Sequence, residues 1–128
     1  MKYLSKILIT NNPLVFKNYS AEYQVEFHEV GYLKILEIVR DRIHVGHKLL
    51  SHPLSSSLKP NETPYKTIIV SKDKGSLDVD SVMIIESSIQ TANKFIKDMK
   101  TPNWNQKALD DFQAVDYSLI QNTLSRDI

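Results

Sequence analysis

Ile7, Leu8 and Ile9 stand side by side between Lys6 and Thr10. In an extended chain successive side chains point to opposite faces, so three adjacent apolar residues ask for a strand covered on both sides. Helix and strand signals then alternate along the chain. Asn11-Asn12-Pro13 offers an N-cap at Asn12 and a proline at the first helical position, which predicts a short helix over residues 13–19. Tyr23-Gln24-Val25-Glu26-Phe27-His28 alternates apolar and polar and reads as a second strand nearer an edge.

From Tyr32 the period changes to that of a helix. Tyr32, Ile35, Leu36, Val39 and Ile43 share one face, His44 falls in the last turn, and Gly46 sits where a left-handed residue ends a helix. His47-Lys48-Leu49-Leu50-Ser51 is expected as a short third strand, and the β-branched Lys66-Thr67-Ile68-Ile69-Val70-Ser71 as a fourth. Val82, Ile85, Ile89, Ala92, Ile96 and Met99 step by 3, 4, 3, 4, 3, the stripe of a long helix. Asp78 and Asp80 at its start, and Lys94, Lys97 and Lys100 at its end, complement its dipole. Thr101-Pro102-Asn103 breaks it, and Leu109, Phe112, Val115, Leu119 and Leu124 mark one or two further helices, with Trp104 as a packing anchor.

The expected architecture is therefore a single α/β domain over residues 1–128. Its sheet is expected to be mostly parallel, of about four strands flanked by helices. A helical C-terminal extension over residues 101–128 adjoins a core over residues 1–100. In a parallel sheet the C-terminal strand ends share one edge, where ligands bind. Here those ends are Thr10-Asn11-Asn12, His28-Glu29, Ser51-His52 and Ser71-Lys72. A helix starting at Asn12 would turn its free N–H groups toward that rim and suit an anion.

Composition narrows the chemistry. With Cys 0, the chain has no thiolate nucleophile, CxxC redox pair or cysteine-ligated metal. With Gly 3, at positions 31, 46 and 75, neither a GxGxxG nor a GxxxxGK[ST] phosphate cradle can form, and no cofactor is expected. A net charge of +1 argues against a broad nucleic-acid or anionic-membrane surface. The opening MKYLSKILIT lacks a signal-length apolar core, and no later run approaches the roughly 20 residues of a membrane span, so a soluble cytoplasmic protein is expected. His44, His47 and His52 are close in sequence. With His47 and His52 at opposite ends of a strand about 17 Å long they would not converge on one ion, and no metal site is expected.

The stretch from His52 to Tyr65 is the densest in potential chemistry. It is a long segment without periodicity, stiffened by Pro53, Pro60 and Pro64, and such loops are usually functional. His52 is a candidate acid or base with Glu62 as its partner, Lys59 a candidate anion holder, and Ser55 and Ser57 candidate hydrogen-bond donors. Together with Thr10, Asn11, Asn12, Asn61, Glu62, Thr63 and Tyr65 they form the expected ligand-binding set. Two function classes stay open on these residues. One is a binding or docking protein; the other is a small hydrolase or transferase that uses His52 with Glu62 or a loop serine.

Three segments carry a likeness. Ile9-Thr10-Asn11-Asn12-Pro13-Leu14-Val15 is the first. Val39-Arg40-Asp41-Arg42-Ile43-His44-Val45-Gly46-His47-Lys48-Leu49-Leu50-Ser51-His52-Pro53-Leu54 is the second, and Lys59-Pro60-Asn61-Glu62-Thr63-Pro64-Tyr65-Lys66 the third. Across roughly the first hundred residues the chain resembles the GrdX family, small proteins that accompany the glycine, sarcosine and betaine reductase systems of amino-acid-fermenting anaerobes. The resemblance implies a place beside a selenium-dependent reductase that makes acetyl phosphate, and it assigns no role to any single residue. A chain without cysteine cannot be a thiol carrier in such a system. The expectation is thus an accessory protein, not a catalytic subunit, that binds a small anionic ligand or a reductase partner. A homodimer paired through the apolar helix stripe is the other association kept open.

Overall fold

The computed structural model describes residues 5–56 and 58–126. Three strands form its sheet: β1 (Lys6–Thr10), β2 (Gln24–Phe27) and β3 (Thr67–Ser71), in the order β2-β1-β3. β1 and β2 run parallel, Thr10 opposite Phe27, while β1 and β3 run antiparallel, Thr10 opposite Thr67 and Lys6 opposite Ser71. Four helices accompany them among the described residues: α1 (Pro13–Tyr19), α2 (Tyr32–His44), α3 (Val79–Asp98) and α4 (Gln106–Ser125).

The apolar runs of β1 and β3 are covered on both faces, as their lack of alternation requires. Ile7 and Ile9 of β1, with Ile68 and Val70 of β3, pack against Ile35, Leu36, Val39 and Ile43 of α2 and Ile85 and Ala92 of α3. Leu8 and Ile69 face the other way, onto Val15 of α1 and Ile120 of α4. The protein is thus a three-layer α/β sandwich with α2 and α3 on one face and α1 and α4 on the other. α4 is an integral wall of this arrangement and runs unbroken over Gln106–Ser125, without the bend its sequence left open.

Two expectations about the sheet are corrected. The sheet is mixed, not mostly parallel, and has three strands, not four. Residues 47–51 lie along the outer edge of β3 but make only an isolated antiparallel bridge, Leu49 to Val70. Backbone bonds run from Leu50 N to Ile69 O (2.8 Å) and from Ser71 N to Lys48 O (2.8 Å). The ladder stops there because serine hydroxyls take the remaining backbone donors. Ser51 Oγ accepts from Ile69 N, Ser71 Oγ from Lys48 N, and Ser81 Oγ from Leu49 N. Side chains that satisfy the backbone locally compete with a strand ladder in this way. The antiparallel β3 also breaks up the expected rim: Ser71 and Lys72 lie at the opposite end of the sheet from Thr10.

The helix ends agree with their sequence signals. Asn12 and Asp78 cap α1 and α3, accepting from Leu14 N and Ser81 N. After α2, Gly46 takes a φ of +109°. A Cβ at Gly46 would press into the backbone of Gly75, whose N–H donates to Gly46 O at 2.9 Å. Gly46→Ala is accordingly expected to lower stability by about 2 kcal/mol or more, through a disfavoured φ and the loss of this close approach. Urea unfolding measures it, and a change within about 0.5 kcal/mol would contradict this account.

Candidate functional site

Thr10, Asn11 and Asn12 leave β1 together at the end of the sheet where β3 begins, and all three are buried. Their polar atoms turn inward. Asn11 Nδ2 donates to Val30 O (2.9 Å) and Pro64 O (2.8 Å), and Asn11 Oδ1 accepts from Lys66 N (2.8 Å). One side chain thereby ties the start of α2, the end of the 52–65 loop and the entry to β3. Asn12 Nδ2 donates to Gln113 O and Asp116 Oδ2, both at 3.0 Å, which docks α4 onto the start of α1.

Asp116 is the hub. It is 5% exposed, and its carboxylate accepts from Asn12 Nδ2, from Thr67 N (3.2 Å) and from Thr67 Oγ1 (2.6 Å). Because the Thr67 hydroxyl proton is committed to the carboxylate, the 2.6 Å contact between Thr10 Oγ1 and Thr67 Oγ1 must be donated by Thr10. Thr10 Oγ1 in turn accepts from Asn12 N (2.9 Å). The chain of bonds is therefore polarised toward one carboxylate. Asn12 caps α1, its Oδ1 accepting from Leu14 N at 3.0 Å while its Nδ2 donates to Asp116.

Lys66 lies next to this network and is only 4% exposed. Among the described residues its Nζ has one hydrogen bond, a long one of 3.4 Å to Ser55 O, and no carboxylate within ion-pair distance. Burial lowers its pKa from 10.5 to about 8, partly opposed by the negative charge of Asp116. Lys66 lines a cavity walled by Tyr32 at the start of α2, by Ser56, Leu58, Thr63 and Tyr65, and by Phe112 and Asp116 of α4. Its inner room is about 10 Å³, about one water molecule. Tyr65 is shared with an open groove of about 370 Å³ bounded by Asn11, Glu29, Gly31 and Pro64. The Tyr32 hydroxyl is held protonated, by burial first and by Asp116 second.

The remaining residues of the expected set lie in the loop, where most serve its own turns. His52 is exposed, and its Nδ1 accepts from Leu54 N (3.1 Å). Ser55 Oγ donates to His52 O (2.9 Å). Glu62 Oε1 accepts from Lys59 N (2.7 Å), and Thr63 Oγ1 accepts from Tyr65 N (3.2 Å). Lys59 is exposed, its Nζ 6.0 Å from the centre of the Phe95 ring. Asn61 is buried, and its Oδ1 has no partner among the described residues. Tyr65 OH accepts from Gln113 Nε2 (2.9 Å), placing it against α4. Ser57 lies outside the described residues. His52 and Glu62, the candidate acid/base pair, are thus each bound within separate turns. Trp104 anchors the loop as well as α4, donating from Nε1 to Glu62 O (2.9 Å), with its ring tilted against that of Phe112, centroids 5.2 Å apart.

Sequence reasoning passed over Lys66, Asp116, Tyr32 and Gln113 as site residues. For Asp116 a signal was present. It stands four residues from both Phe112 and Ile120, so a carboxylate occupies the core-facing stripe of α4, whereas Val115 is 39% exposed. Lys66 carried no such signal, because a lysine just before an apolar strand reads as solvated.

Fold and site together define a small three-layer α/β protein with a buried, weakly partnered amine at one end of its sheet. The family model described as GrdX-like protein matches residues 7–125, so its span includes α4, and the chain belongs to that family. No match is found among curated proteins or among solved structures. No helix among the described residues is long and apolar enough to cross a membrane.

Proposed function

We propose that this protein is an accessory component of a glycine, sarcosine or betaine reductase system that binds a small anionic ligand, with Lys66 as the group that holds it. The observation that carries this reading is the state of the Lys66 amine. Among the described residues it is a buried cation with one long hydrogen bond and no ion pair, beside a small cavity that shares Tyr65 with a larger groove. A buried charge without a partner is unfavourable, so a carboxylate or phosphate brought to it would relieve a cost already present in the free protein. Tyr65 and Ser56 line the same cavity and offer hydroxyls to the anion's remaining oxygens.

The test is titration with acetate and with inorganic phosphate, monitored by amide chemical shifts. Saturable shifts centred on residues 63–66 and on Asp116 are expected, weakened at least tenfold in Lys66→Met. Equal binding by that variant, or no response to either anion, would remove the assignment.

A protein partner from the same reductase system is the second reading, favoured by how the 52–65 loop is built. Its turns are closed by Ser55, Glu62 and Thr63, and its end is held by Trp104 and Asn11, so the exposed His52 and Lys59 stand on a pinned frame. Pre-ordered surface side chains bind at lower entropic cost. The double variant His52→Ala, Lys59→Ala is expected to lose retention of reductase subunits from anaerobic native extract while keeping its response to acetate. Unchanged retention would discard the docking role.

A further inference from the structure

We infer that Lys66 is a carbonyl-capturing amine, which forms a reversible imine with a small aldehyde or 2-oxo acid that reaches it through the groove beside Tyr65. The inference deepens the anion-binding reading and rests on it for the location of the site. Its basis is geometric. Lys66 is the only lysine among the described residues that is buried. Among the described residues its Nζ touches a single acceptor, Ser55 O, and forms no ion pair.

The cavity around it is small. Its inner room of about 10 Å³ admits a group the size of one water, while the adjoining groove of about 370 Å³ has space for the rest of a short molecule. Its walls also carry Tyr32 from α2 and Asp116 from α4, with Tyr65 on the loop side. Burial also lowers the Lys66 pKa to about 8, which leaves a usable neutral fraction near neutral pH.

The chemistry balances without a further reactant. The lone pair of neutral Nζ forms a bond to the carbonyl carbon, and the C=O π pair moves to oxygen, which takes one of the two nitrogen protons to give a carbinolamine. The nitrogen then loses its remaining proton and the hydroxyl leaves as water, giving C=N. No electron is gained or lost overall, and hydrolysis reverses both steps.

The experiment uses the intact protein and glyoxylate, an aldehyde that also carries a carboxylate, with borohydride added to reduce any imine to a stable amine. Peptide mass mapping of the wild-type chain then reads the site, with no variant needed. Trapping at Lys66 is expected at least tenfold above that at the exposed Lys59 and Lys107, with a rate that rises from pH 6 to pH 9. Acetate, which binds as an anion but cannot form an imine, is expected to compete. Lys66→Arg, which keeps the charge and lacks a nucleophilic amine, is expected to lose trapping.

Labelling spread evenly over exposed lysines, or none at Lys66, would overturn the inference. If acetate still shifts residues 63–66 in that case, the anion-binding reading stands without it. If trapping occurs at Lys66 while acetate neither binds nor competes, the amine is reactive and the anion reading fails by itself.

Discussion

Asp116→Ala is expected to lower stability by about 3–5 kcal/mol, a larger loss than that of Gly46→Ala. The carboxylate accepts three hydrogen bonds, from Asn12 Nδ2, Thr67 N and Thr67 Oγ1, in a setting with almost no solvent. Removing it strands those donors. It also leaves the buried Lys66 amine without the negative charge that favours its protonated form. Because Asn12 and Thr67 belong to α1 and β3, the loss should be felt as undocking of α4. Urea unfolding monitored by the fluorescence of Trp104, just before α4, would report it. A midpoint close to wild type would mean that the network is ornamental and that Ile120 and the ring contact of Tyr117 with Tyr19 hold the helix.

Lys66→Met works in the opposite direction and depends on pH. An amine with a pKa of 10.5 when unfolded and about 8 when folded holds less proton in the native state between those values. Stability therefore rises with pH across that window, and below about pH 8 the full cost of burying the charge is present. At 1.36 kcal/mol per pH unit, the fall from 10.5 to about 8 corresponds to about 3 kcal/mol. Methionine fills similar space without a charge, so the variant should be more stable than wild type by on the order of 2–3 kcal/mol at pH 7. The advantage should shrink as pH climbs from 8 toward 10. Above pH 10 the tyrosines act the other way. Burial raises Tyr32, and burial helped by Tyr117 raises Tyr19 to about 12, so both favour the folded state less as pH rises. The comparison belongs between pH 6 and pH 9.5, as the difference in urea midpoint between the two proteins. A constant difference over that range would show that Lys66 is not desolvated in the folded protein.

The two variants bear on function from different sides. A lysine whose replacement stabilises the protein is one that stability alone does not favour, which is a mark of functional sites. Asp116 is the contrasting case: its neighbours are saturated, and its loss breaks the end of the sheet that the cavity is built on.

Much of the scaffold was legible along the chain because its signals are local. The proline and asparagine at the start of α1, the spacing of Tyr32 to Ile43, the left-handed Gly46 and the Asp78 cap each depend on residues within one or two turns. The double cover of β1 came from three adjacent apolar residues. The direction of β3 did not, since an apolar strand looks the same whichever way it runs. The segment 47–51 misled for a related reason. Its pattern is short and weak, and hydroxyls of Ser51, Ser71 and Ser81 take the bonds a strand would have needed.

The candidate site divides along the same line. By itself, the sequence determined what chemistry is absent: with no cysteine and three glycines, neither thiol transfer nor a glycine-rich phosphate loop is available. It also pointed to Thr10, Asn11, Asn12 and the proline-stiffened loop as the place where polar groups gather. Only the tertiary structure decided which of those groups are already spent on one another and which is left over. Asp116 lies 49 positions beyond Thr67, the residue next to Lys66, and what isolates the amine is the closing of α4 and the loop over the end of the sheet. Burial is a property of everything packed around a side chain, so no local pattern could have reported it.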